Sequence, residues 1–145
     1  LDEQNLRTAI TDARQVSDIV IAMPHWGPED TAAPGWWQMG LAQVAVDAGA
    51  DLVVGNHTHV VQAYEEIDGV MVFYGLGNFI FDQEWPPDHT QGVILLVTFE
   101  GSHMMGYEFI PTYSDLDGTV HIADPELAAE ILERIEAVSQ NLPAR

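Results

Sequence analysis

The stretch Asp51-Leu52-Val53-Val54-Gly55-Asn56-His57-Thr58-His59 decides how this chain is read. Three aliphatic residues give the signal of a short buried strand, a glycine stops it, and two imidazoles follow at once. The same grammar occurs earlier. Ile19-Val20-Ile21-Ala22-Met23 runs into Pro24-His25-Trp26-Gly27-Pro28-Glu29. Neither run alternates polar with apolar, so both read as strands of a parallel sheet covered on its two faces. In an open α/β sheet, ligands gather beyond the carboxyl ends of the strands. Two strands that each end in imidazoles therefore make a candidate metal site.

Working outward, Glu3 to Val16 reads as a helix, with Asp2 as its cap and Leu6, Ala9, Ile10 and Ala13 at helical spacing. Gly35 to Ala48 is a second helix, closed by Gly49. The unit between and around them is βαβ-like, which puts both histidine loops on one edge. Val60 to Glu66 and Val70 to Tyr74 then predict a hairpin about Asp68-Gly69. Val93 to Glu100, Met104 to Ile110 and Val120 to Ala123 predict further strands, and Glu84 to Thr90 reads as loop. The tail is a helix capped by Asp124, with Pro125 at its first position and Leu127, Ile131, Leu132, Ile135 and Val138 on one stripe.

The chain has 145 residues, 47% of them hydrophobic, enough for one folded domain with a core. Its 23 acidic residues against 4 basic ones leave a formal charge of -19. Nucleic acid is excluded as a partner, because phosphates need Lys and Arg to neutralise them, and anionic membrane surfaces are disfavoured for the same reason. With no cysteine, any metal must be held by His, Asp, Glu or Asn. No apolar stretch is long enough to span a bilayer.

His57 and His59 are one residue apart, a spacing that lets both rings face one ion, and neutral imidazole suits zinc, iron and manganese. His25 adds a third ring from the other loop. Glu29 can orient an imidazole through its second ring nitrogen, act on a substrate proton, or stand as a solvated loop acid. Asn78, between Gly77 and Phe79, can brace a loop or touch a ligand. Phe79 and Phe81 read as core. Asp82 reads equally as a site neighbour or a turn residue. His89, His103 and His121 lack ligand spacing and read as surface or hydrogen-bonded residues. Trp36, Trp37 and Trp85 are ordinary packing residues first and an aromatic rim to the site second.

At these residues the sequence resembles the CapA-like family of poly-gamma-glutamate capsule biosynthesis proteins, within the calcineurin-like metallophosphoesterase superfamily. The resemblance lies in His25-Trp26-Gly27 with Glu29, in Ala48-Gly49-Ala50-Asp51-Leu52-Val53-Val54-Gly55-Asn56-His57-Thr58-His59-Val60-Val61-Gln62, and in Tyr74-Gly75-Leu76-Gly77-Asn78-Phe79-Ile80-Phe81-Asp82. It covers about Ala9 to Phe99. It implies an α/β fold: the C-terminal portion of a metallophosphoesterase-like two-sheet sandwich flanked by helices. It also implies two divalent metal ions (Mn, Fe or Zn) in the intact domain. His25, His57 and His59 match the family's ligand histidines, Glu29 the glutamate of the first motif, and Asn78 the asparagine of Leu-Gly-Asn-Phe. Asn56 stands where the family usually has His, and Thr58 where it usually has Pro. An asparagine can still bind a phosphate or carboxylate oxygen, but it is no general acid at neutral pH. The family's early Asp, its Gly-Asp pair and its Asn-His motif have no counterpart here.

The resemblance thus implies a metal-dependent hydrolase or transferase domain in which His25, His57 and His59 bind metal. Glu29 and Asn56 are then the catalytic or substrate-contacting residues, and Asn78 is a second-layer or substrate contact. Residues 1–145 read as one domain. The opening Leu1-Asp2, inside a βα alternation, predicts a fragment, a processed form or half of a larger domain. The expected partner is the missing N-terminal half or another subunit, with an anionic small or polymeric substrate and a place outside the cell or in its envelope. The alternative is a non-catalytic scaffold or accessory subunit with an incomplete metal site.

Overall fold

The structure is a computed structural model that describes residues 2–81 and 87–143. Asp82 and Trp85, named above, lie outside the described residues, as do the first three residues of the expected loop from Glu84.

Asp2 caps the first helix by accepting from the Asn5 amide at 2.9 Å, and α1 (Glu3–Arg14) follows, with Leu6 and Ile10 buried. Its last residue, Arg14, pairs with Asp51, whose carboxylate also accepts from the Val20 amide at 2.7 Å. One carboxylate thereby ties the end of α1 to the starts of two neighbouring chain segments. Then come β1 (Ile21–Ala22), α2 (Trp36–Asp47) and β2 (Leu52–Val54). The first strand is shorter than the apolar run predicts, because only two of its residues pair with β2.

The hairpin forms as expected from β3 (Tyr64–Ile67) and β4 (Val70–Phe73). Asp68 and Gly69 both take positive φ, 51° and 84°, as a two-residue turn matching strand twist requires. The four strands order as β1-β2-β4-β3, with β1, β2 and β4 mutually parallel and β3 antiparallel at the edge. A second sheet holds β5 (Gln91–Glu100), β6 (His103–Ser114) and β7 (Val120–Ile122) in sequence order, all antiparallel. The β6 strand runs on past Ile110, where the sequence reading stops it. Pro111 has no N–H to give, but its carbonyl accepts from Ala123 at 2.9 Å and the ladder continues.

Alternation along the central strands divides the core. Val53 and Val72 face α1 and α2 and pack with Leu6, Ile10, Ala42 and Ala45. Leu52, Val54 and Phe73 face the other way and meet Leu95, Val97, Phe99 and Phe109 of the second sheet. The result is helices on sheet on sheet, the mixed α/β sandwich expected from sequence. The last helix, α3 (Pro125–Ser139), seats Ile131 and Ile135 against Val61 and Val93. It is pinned to β3, where Tyr64 donates to Glu136 at 2.5 Å, a bond that pushes the tyrosine pKa up and holds the carboxylate pKa down.

Candidate metal centre

Each of the three parallel strands ends in a loop on the same edge, and those loops build the site. Backbone bonds lace the first two together. Asn56 donates to the Pro24 carbonyl at 2.9 Å, and Trp26 donates to the Asn56 carbonyl at 3.1 Å. Trp26, buried to 1% exposure, sends its indole N–H to the Tyr74 carbonyl at 2.9 Å and so reaches the third loop. Gly55 is required where these meet. A Cβ there would stand 2.1 Å from the Tyr74 carbonyl oxygen and 2.2 Å from the indole nitrogen.

A buried amide pair holds the Glu29 loop from behind. Gln38 donates to Gln62 at 3.0 Å, and Gln62 donates to the Thr31 carbonyl at 2.7 Å. Asp30 donates its own amide to the Thr58 carbonyl, 3.0 Å away, between the two histidines.

On this frame Glu29, His57 and His59 converge. The Glu29 Oε1 atom lies 4.0 Å from the Nε2 atoms of both His57 and His59, and one ligand atom from each of the three residues falls within 4.8 Å of the others. Two imidazoles and a carboxylate are a donor set for zinc, manganese or iron. Slight closure would bring the three atoms to ligand spacing, so these residues fit a divalent cation. His59 Nδ1 lies 2.9 Å from the Asn78 amide oxygen. That oxygen can only accept, so Nδ1 carries a proton, and Nε2 is the ring nitrogen that faces Glu29.

His25 belongs to the same cluster without joining the triad. Its ring packs on that of His57 with centroids 4.4 Å apart. Asn56 lies at the lip, its side chain turned back to the Val54 carbonyl at 3.4 Å. A cleft of about 300 Å³ opens among His25, Asn56, His57, His59, Leu76, Asn78, Phe79 and Ile80.

Three expectations need correction. Phe79 and Phe81 are not core. Both are exposed, Ile80 between them is 72% exposed, and the Phe81 ring stands 5.1 Å from His59. The cause is the turn at Gly77 (φ 74°), clamped by bridges from Val61 to Leu76 and from Gly77 to Gly92, which swings the segment out over the site. Trp36 is no packing residue: it is 85% exposed and lines, with Trp37, a groove apart from the site, while Trp37 packs against the core as expected. His89 is no surface residue. It is 2% exposed, with its ring 5.9 Å from that of His59. Nothing local in the sequence marks it, because the turn that carries it reaches the site through tertiary packing. His121 does take the hydrogen-bonded role expected of it, 2.8 Å from Asp115, and His103 is exposed at the start of β6.

Comparison with known families matches residues 1–83 to the bacterial capsule synthesis protein PGA_cap. The chain belongs to the PGA_cap family. It is 46% identical over 76 residues to the PGA biosynthesis protein CapA of Bacillus subtilis, an alignment covering 52% of this chain and 20% of that protein. It is 46% identical over 69 residues to the capsule biosynthesis protein CapA of Bacillus anthracis, covering 48% and 17%. A Mycobacterium tuberculosis protein named "Probable polyglutamine synthesis accessory protein" is 31% identical over 71 residues, covering 49% and 19%. The chain therefore spans about a fifth of the length of the curated relatives it matches. The PGA_cap match contains every loop that carries Glu29, Asn56, His57, His59 and Asn78, and it stops before His89.

Proposed function

We propose that this PGA_cap chain carries the cation-binding half of a hydrolase or transferase site acting in poly-gamma-glutamate capsule biosynthesis at the cell envelope. One observation carries the reading: Glu29, His57 and His59 bring three ligand atoms within 4.8 Å at the carboxyl ends of parallel strands. The names of the two Bacillus relatives supply the process.

In this reading Glu29, His57 and His59 hold a divalent cation, Mn, Fe or Zn, with His25 beside them. When bound, such an ion polarises a phosphoryl or acyl oxygen and activates water. The chain's own residues do the rest. Asn78 holds His59 in the tautomer that offers Nε2. Asn56, at the lip, offers an amide to a substrate oxygen. Leu76, Phe79 and Ile80 give the cleft an apolar wall. With a charge of -19 the surface does not grip a long polyanion, so an anionic substrate engages through the cation and its immediate neighbours.

Completion of a two-metal site falls to a partner, either the remaining part of the CapA-like domain or a separate subunit. The outer edge of β1 suits it: among the described residues the strand pairs with β2 alone, and Ile21 within it and Met23 just after it are 46% and 66% exposed. Parallel sheets are ordinarily buried at such positions.

A second reading, a scaffold or accessory module without turnover, is favoured by the accessory role in the mycobacterial relative's name. Elemental mass spectrometry on protein purified without chelator or affinity metal separates the two. Near-stoichiometric Mn, Fe or Zn is expected, followed by a screen of phosphoester and amide substrates. Protein that stays empty after titration with all three ions would overturn the cation site and leave the scaffold.

A further inference from the structure

We propose that His89 is a positioning residue for the cation site and acts through Asp30 to set where the Glu29 carboxylate stands. The inference rests on the cation-site reading above and names a residue outside the family match.

His89 sits in a short 3-10 turn, Pro87–Thr90, and its imidazole is 1% exposed. Burying a polar ring is costly without a partner. Its Nε2 lies 2.6 Å from Asp30 Oδ1, yet neither ring nitrogen has a hydrogen-bond partner in good alignment. The carboxylate of Asp30 is thus the polar group set against the buried ring.

Asp30 in turn is held from both sides. Its amide donates to the Thr58 carbonyl at 3.0 Å, while its side chain reaches His89. It occupies the left-handed region, φ 63°, a conformation that a non-glycine residue keeps only where its surroundings impose it. Glu29 is the next residue back along the chain. Its side chain is 56% exposed and long, so its place opposite His57 and His59 depends on where Asp30 fixes the backbone.

The same turn also reaches His59. Asn78 donates to the His89 carbonyl at 3.0 Å while its oxygen engages His59 Nδ1. Glu29 comes from the loop after β1 and His59 from the loop after β2. Both are referenced to one buried residue of a third segment. Ligands held this way lose less freedom when an ion arrives, and outer partners of this kind are worth about 10–100-fold in metal affinity.

The test is competition titration of Zn²⁺ and Mn²⁺ against a chromophoric chelator, with melting temperature measured separately in EDTA. Wild type is expected to take an ion. Asp30→Gly removes the anchor and relieves the left-handed backbone. Its melting temperature in EDTA should fall modestly, since the buried His89 ring loses the carboxylate set against it, while metal affinity falls about 10-fold or more. Asp30→Asn, which tolerates the same φ and keeps an oxygen facing His89, should restore affinity toward wild type. His89→Ala should weaken binding as Asp30→Gly does, and the double variant should add little, since both cut one link. Asp30→Gly binding as tightly as wild type would overturn the proposal. So would a lower ion count in His89→Ala with Asp30→Gly unaffected, because His89 would then be a ligand itself. A wild type that takes no ion defeats the cation site as well, which is a different failure.

Discussion

His57 and His59 converge through an unusual backbone rather than through an extended strand. Their φ values are 101° and 63°, and their ring centroids lie 6.1 Å apart at 56°. A spacing of two residues puts side chains on one side in extended chain and can also bring them together in a tight loop; the tight loop is the geometry found here. Left-handed backbone costs about 1–2 kcal/mol at an ordinary residue, and here the laced loops impose it. Two outcomes follow for substitution. His57→Ala should abolish metal retention, read by elemental analysis, with little loss of fold, because the ring is only half-buried; His57→Gly should do the same with the backbone strain removed. Metal held at wild-type occupancy in either would remove His57 from the site. His103→Ala, at the exposed start of β6, should alter neither metal content nor melting temperature, and a large effect there would mean the centre lies elsewhere.

The elements that were legible in sequence are those whose signal is local. α3 was marked by its cap, its proline and its apolar stripe, and the β3–β4 hairpin by Asp68-Gly69, and both stand where expected. The parallel run at β2 was equally plain, with all three residues buried. What failed depended on distant partners. Val60 to Ala63 looks like strand but is spent in the loop that carries His59, so β3 begins only at Tyr64. Phe79 and Phe81 look like core because aromatic residues usually are. Whether they pack depends on the clamp at Gly77, which joins segments far apart in the chain. His89 was invisible for the same reason. Glu29, by contrast, was read as one of several things a carboxylate can be, and its approach to two imidazoles narrows that choice. Gly55 tests how strictly the loops must meet. Gly55→Ala would drive a methyl group into the Tyr74 carbonyl and the Trp26 indole. It should cost roughly 1–3 kcal/mol, the usual penalty for overpacking, measured as a lower urea midpoint. A midpoint equal to wild type would show that the three strand ends have slack.

At the scale of the molecule, 23 carboxylates on 145 residues crowd like charge around a modest core. Self-repulsion of this size destabilises the compact state, and salt screens it over a Debye length of about 10 Å at 0.1 M and 3 Å at 1 M. The melting temperature of metal-free protein should therefore climb as KCl rises toward about 1 M. A flat or falling curve would mean that the carboxylates are spaced widely enough not to feel one another. The site itself is organised differently from the surface. Trp26 and Asn56 join the first two strand ends through main-chain bonds. Asn56, standing in a register held by its own amide and carbonyl, can be exchanged for another residue without moving His57 or Trp26. The strand ends thus form a fixed socket, in which one side chain can be exchanged while the backbone that presents its neighbours stays in place.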